Sequence, residues 1–202
     1  MLNQLNEQLM AAAAQGDTVR VMQLLQQGAH INTRDARGRT PIMAATHGKH
    51  SETVRALAKA GADVNIRDNN LDNPFLYAGA EGLLDILQIA YEAGSDPQIT
   101  NRFGGIAIIP ACERGHVEVV RYLLTRTTTN VNHVNNLGWT GLLEAIILSD
   151  GGPRHQEIVA LLIQHGADVN LADRNGVTPL KHAKTRGFAQ IQQLLAAAGA
   201  RE

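Results

Sequence analysis

A period of 33 residues runs through the chain and constrains the fold more than any other feature. Glycines stand at 28, 61 and 94, and Gly166 and Gly199 are again 33 apart. The text around them recurs as Gly28-Ala-His-Ile-Asn32, Gly61-Ala-Asp-Val-Asn65 and Gly166-Ala-Asp-Val-Asn170. A second phrase keeps step: Asp35-Ala-Arg-Gly-Arg-Thr-Pro-Ile42, Asn135-Asn-Leu-Gly-Trp-Thr-Gly-Leu142 and Asp173-Arg-Asn-Gly-Val-Thr-Pro-Leu180. Self-similarity of this kind describes one small unit stacked several times. No copy folds alone, because each exposes an apolar face that only its neighbour covers.

Each phrase has a mechanical reading. Asp-x-x-Gly makes a tight turn, with Gly38, Gly104, Gly138 and Gly176 free to take positive φ. Thr40-Pro41 and Thr178-Pro179 then start a helix, with threonine as N-cap and proline at the first helical position. This short, alanine-rich helix ends near Gly48, Gly82, Gly115 or Gly187. A second helix carries apolar residues three and four apart, as in Ile158, Leu161 and Leu162 or Ile191, Leu194 and Leu195. The 33-spaced glycine marks its end.

Turn, helix, helix at this period resembles the ankyrin repeat. The resemblance covers nearly the whole chain as six units: 1–34, 35–67, 68–100, 101–134, 135–172 and 173–202. Arg102-Phe-Gly-Gly, Pro110-Ala-Cys-Glu-Arg-Gly-His and Gly138-Trp-Thr-Gly-Leu-Leu-Glu-Ala-Ile, with Asp150-Gly-Gly-Pro, are similar in detail to small bacterial ankyrin-repeat proteins. The resemblance implies an all-α fold, a solenoid of about six helix-turn-helix repeats joined by short β-turn or hairpin connections. It also implies a binding module, in which the turns and the first helices form a concave surface. The first unit lacks the turn phrase and opens with Gln4, Asn6, Glu7 and Gln8, as an N-terminal cap would. The last carries Lys181, Lys184, Arg186 and Gln190 over part of its surface, as a C-terminal cap would. A single domain spanning 1–202 is expected.

Three departures from the period point to function, since folding already explains the repeated part. The step from Asn135 to Asp173 is 38 residues, and the excess falls at Ser149-Asp150-Gly151-Gly152-Pro153-Arg154-His155. Gly-Gly-Pro is read as a helix stop, so this segment should form an exposed loop with the next helix starting near Gln156. Asp150, Arg154 and His155 are its candidate polar contacts. In the fourth unit Ile106-Ala107 replaces Thr-Pro, and Pro110 follows. The expectation is a first helix delayed to about Pro110 after an extended turn segment. Third, Phe103 and Trp139 sit in turns that project from an ankyrin stack, where aromatic residues dominate binding energy.

Catalytic and metal-binding patterns are missing from the text. The three serines lie in no nucleophile-elbow phrase, and Cys112, the lone cysteine, reads as a small buried residue. No His-Glu-x-x-His or paired-cysteine motif occurs among the eight histidines, and the Gly-Gly pairs do not continue into phosphate loops. The formal charge of -1 offers no field for nucleic acid or an anionic membrane. No apolar run is long enough to span a bilayer, and the N-terminus does not read as a signal peptide. The expectation is therefore a cytoplasmic, non-enzymatic monomer without cofactor. It would bind a protein partner through Phe103 and Trp139, with Arg37, Arg39, Asp72, Arg102, Arg114, Asp150, Arg154 and His155 supplying specificity. The alternative is an accessory, small-molecule-binding or enzymatic protein with a cleft in the fourth and fifth repeats, converging on Glu113, Glu144 and His155.

Overall fold

A computed structural model describes residues 2–202. Among the described residues there are twelve helices and no strand. By backbone contact the chain falls into two compact units, one running up to Ala78 with Leu83–Arg102, the other comprising Gly79–Gly82 with Phe103–Glu202.

In the first unit α1 (Leu2–Gln15) packs on α2 (Thr18–Gln26) and on α3 (Pro41–His47). In turn α4 (Ser51–Lys59) packs on α2, α3 and α6 (Leu84–Glu92). The helix before α6, α5 (Pro74–Glu81), gives its first five residues to this unit and its last turn to the other. Leu9, Leu24, Ile42, Leu57, Phe75 and Leu87 are fully buried between the layers. Burial of such side chains, worth about 1.5–3 kcal/mol each, is what makes neighbouring repeats depend on one another.

The second unit repeats the plan. First helices α7 (Ile108–Glu113), α9 (Gly141–Ile147) and α11 (Pro179–Thr185) pack side by side, as do the second helices α8 (Val117–Arg126), α10 (Pro153–Gln164) and α12 (Ala189–Ala197). Polar ladders explain why the glycine phrase keeps its asparagine. The Asn132 side chain donates to Gly166 O at 3.1 Å and accepts from Asp168 N at 2.8 Å. Asn170 does the same to Gly199 O and Arg201 N, and in the first unit Asn65 serves Gly94 O and Asp96 N. The asparagine of one copy thus binds the backbone of the next.

The first helices start as their caps dictate. Thr40, Thr140 and Thr178 each accept the N–H three residues on, and Asn73 does so for Leu76. The fourth repeat is the exception: its first helix is delayed, but by one residue relative to its sisters, and the expectation of a start at Pro110 is corrected. Helix α7 begins at Ile108, placing the proline third, where an N–H would lack an intrahelical partner anyway. Ile106 offers no side-chain acceptor, so Ile109 N–H goes to the Ile106 carbonyl instead, at 3.0 Å. In the sister repeats that carbonyl position receives the residue four on, as in Ala44 to Thr40 or Glu144 to Thr140. Pro110 has no N–H to compete for it, so isoleucine and proline make up one matched exchange.

The third turn departs in another way. Leu71 takes φ 62 where the fourth, fifth and sixth repeats place Gly104, Gly138 and Gly176. A Cβ in that left-handed region costs about 1–2 kcal/mol.

Candidate functional site

The turns of the second unit are built around one side chain each. In the fifth repeat Asn135 Oδ1 accepts the N–H groups of Leu137 at 2.9 Å and Trp139 at 3.1 Å. Asn135 N donates to Trp139 O, and Gly138 N donates to Asn135 O. Gly138 holds φ 84 to close the turn. This geometry pushes the third residue of the turn outward and folds the fifth back. By that register Phe103 corresponds to Leu137, and both are 54% exposed. Trp139, in the fifth place, is half-buried. Phe103 and Trp139 are therefore not equivalent, and the stacked apolar tips are Phe103 and Leu137. Asn136 N donates to Phe103 O at 2.9 Å, tying the two tips together. Leu137 is legible in the sequence only by counting from the turn asparagine, whereas an aromatic next to glycine draws attention to Trp139 instead.

Beneath the tips lie the first helices. Glu144, one turn into α9, is 6% exposed. Asn135 Nδ2 donates to its Oε1 at 2.7 Å. Burial first, and then the neighbouring Glu113 carboxylate, push its pKa up to about 7, against the pull of the Asn135 hydrogen bond. On the sequence Glu144 reads only as one corner of a hypothetical enzyme cleft, because burial of one carboxylate among short helices leaves no mark in the text. The sixth repeat forms the same bridge with polarity exchanged: His182 Nε2 meets Asp173 Oδ2 at 2.8 Å. Cys112 is fully buried next to this floor, and burial together with the Glu144 carboxylate raises its thiol well above the usual range. It is an inert packing group.

At the other end of the first helices an open cleft of about 280 Å³ is lined by Arg114, Asp150, Gly152, Pro153, Arg154 and His155. The expected loop through 155 is corrected. Helix α10 starts at Pro153, with Gly152 extended as its N-cap, so Gly-Gly-Pro opens a helix rather than stopping one. Of the five extra residues, two lengthen the loop and three add a first turn to α10. That turn carries His155 into a structural position. Its Nε2–H donates to Glu113 O at 2.9 Å, as His116 does to Ala80 O and, in the first unit, His50 does to Ala14 O. Asp150 caps Gly152 N at 2.9 Å and lies 3.5 Å from His155 Nδ1. Arg114 is turned to Glu81 at 2.5 Å and to Ala80 O. Arg154 is exposed.

The remaining candidates belong to the first unit. Arg37 is exposed at the tip of the second turn, while Arg39 is held by Asp35 at 2.7 Å. Arg102 Nη1 donates to Asn70 Oδ1 at 3.2 Å, and the Asp72 backbone closes the third turn on Asp68. The structure thus brings Arg114, Asp150, Arg154 and His155 to one cleft, and sets Phe103 and Trp139 in turns of that unit, at the opposite end of the first helices. Seven helical residues separate the two ends, about 10 Å.

Known proteins share this architecture. A family model described as ankyrin repeats in three copies matches residues 9–101 and 75–173, and one of many copies matches 152–196. The chain is 46% identical over 189 residues to the putative ankyrin repeat protein YahD of Escherichia coli (strain K12), covering 94% of each. The crystal structure of an ankyrin repeat domain from Acinetobacter baumannii AYE superposes with a TM-score of 0.93 at 52% identity, covering 96% of this chain and 98% of that one. The ankyrin repeat domain of Bcl-3, described as a member of the IkappaB protein family, superposes with a TM-score of 0.86 at 25% identity, over 96% and 86% of the two chains.

Proposed function

Because this chain belongs to the ankyrin-repeat family, we propose that it is a non-catalytic scaffold that binds a partner protein on the turn side of its second unit. Ankyrin repeats are generally protein–protein interaction modules, and that much comes with membership. The observation that carries the finer reading is the pair of apolar tips, Phe103 and Leu137, each 54% exposed on neighbouring turns. Asparagine or arginine would serve a turn tip equally well, as Asn175, Asn70 and Arg37 do in sister repeats. Large apolar side chains held in water by a rigid turn lose little entropy on binding, which favours affinity. Trp139, half-buried beside them, is the anchor.

The cleft at Arg114 and Asp150 serves as a polar flank to that face. Its histidine is committed to the Glu113 backbone, which makes a catalytic role for it a poor fit. Affinity capture from an extract of the native cell tests the proposal. The tagged chain should retain a protein that a Phe103→Ser/Leu137→Ser variant of equal stability loses. Equal capture by both would place the binding surface elsewhere.

A further inference from the structure

We infer that the binding face of the second unit selects a partner segment in which a basic side chain adjoins an apolar one. The cation seats at Glu113 and Glu144, and the apolar group lies against Trp139 and Leu137. This rests on the binding face proposed above and specifies the chemistry of its occupant.

The floor of that face holds unneutralised charge. Neither Glu113 nor Glu144 forms an ion pair among the described residues, although they lie on adjacent first helices and repel one another. Glu144 is more than nine-tenths buried, with one oxygen bonded to Asn135 and, among the described residues, no donor on the other. The nearby basic side chains have partners of their own: Arg114 meets Glu81, and His182 Nε2 meets Asp173. Folding does not demand an acid here, since the sister repeats carry Ala44, Tyr77, Pro110 and His182 at the same place. The acid is nonetheless supported, because Asn135 donates to it where the second, third and sixth turns begin with aspartate. The same Asn135 accepts the backbone N–H of Trp139, so the Glu144 carboxylate and the tryptophan's backbone meet at a single amide. A basic side chain arriving at this floor would find charge, hydrogen-bond acceptors and an apolar wall together. Its arrival removes the repulsion that the free protein tolerates.

Binding at this floor depends on pH. The groups packed around Glu144 are Cys112 and Glu113 from α7 and Asn135 from the turn. On α11 the titratable residues are His182, bonded to Asp173, with Lys181 and Lys184, both exposed and the latter turned to Glu202; α10, which also packs on α9, carries Arg154, exposed, His155, bonded to Glu113 O, and Glu157, paired with Arg121. A carboxyl group of pKa about 7 must lose its proton before a cation can pair with it, so affinity rises with pH and levels off above 7. If Glu144 stays ionised in the complex, affinity at pH 6 is about tenfold below that at pH 8.

A random dodecamer peptide library selected on the immobilised full chain at about pH 7.5 provides the test. Enriched peptides should carry arginine or lysine next to an apolar residue. One such synthetic peptide should bind Glu144→Gln at least tenfold more weakly, with its pH dependence abolished, and Glu118→Gln, on the exposed side of α8, as well as the parent. A Glu113→Gln variant should bind more weakly and shift the pH midpoint downward, which a simple folding defect would not do. Enrichment of peptides without basic residues, no enrichment, or unchanged binding by Glu144→Gln would overturn the inference. Peptides sensitive to Phe103→Ser/Leu137→Ser but indifferent to Glu144→Gln keep the face and remove the cation. Indifference to both removes the face itself.

Discussion

At position 144 the chain holds a carboxyl group that its own fold destabilises. A folded pKa of about 7, against 4.5 for an ordinary glutamate, means that the native state binds the proton more tightly than the unfolded chain. Stability from this group is therefore fully present below about pH 4.5 and is lost as pH rises towards and through 7. The size is at most about 3.5 kcal/mol, from about 1.4 kcal/mol for each pH unit between the two values. Glu144→Gln keeps an oxygen for Asn135 and removes the charge. It should leave stability near pH 4.5 almost unchanged and raise it at pH 8, by up to that amount, in urea titrations at the two pH values. Equal effects at both would show that Glu144 is not the strained group. A site that weakens the fold while serving a partner is the familiar trade between stability and function. Trp139 belongs to the same scale: being half-buried, its truncation to alanine should cost the fold about 1–2 kcal/mol, well below a core aromatic.

Elements are where sequence and structure agree most and also part company. Thr-Pro starts, glycine-closed second helices and the turn phrase are all legible, because each is a local rule written in adjacent residues. The two helix starts that differ from expectation share one cause: proline breaks a helix only at positions where its N–H would be needed. Pro153 stands first in α10 and Pro110 third in α7, places where the missing N–H costs nothing. Leu137 can be found by register within its own turn, but the His155 anchor and the burial of Glu144 are illegible because each depends on a neighbouring repeat. The exchange at Ile106 and Pro110 can be tested by a double-mutant cycle. Pro110→Ala alone should change stability by less than about 0.5 kcal/mol, and Ile106→Thr alone should destabilise. Together they rebuild the ordinary cap, so the pair should be about 1 kcal/mol better than the sum, the usual worth of an N-cap. Strict additivity would mean the two residues are unrelated. In the third turn, Leu71→Gly should stabilise by about 1 kcal/mol by relieving its positive φ.

For the molecule as a whole, repeats couple only through neighbours, so a single domain over 1–202 should unfold in one step. Urea unfolding followed by Trp139 fluorescence, which reports the second unit, should coincide with unfolding followed by far-ultraviolet circular dichroism, which reports every helix. Separate midpoints would make it two domains. The proposed binding face belongs to the second unit, and the single tryptophan of the chain lies in it. The most direct measurement is acrylamide quenching of Trp139 with and without a saturating amount of the captured partner. Free protein should emit as a half-exposed indole and be quenched readily, and the complex should emit to the blue and resist quenching. Saturated complex with emission and quenching unchanged would mean that the partner binds elsewhere, and that Phe103, Leu137 and Trp139 are not its contacts.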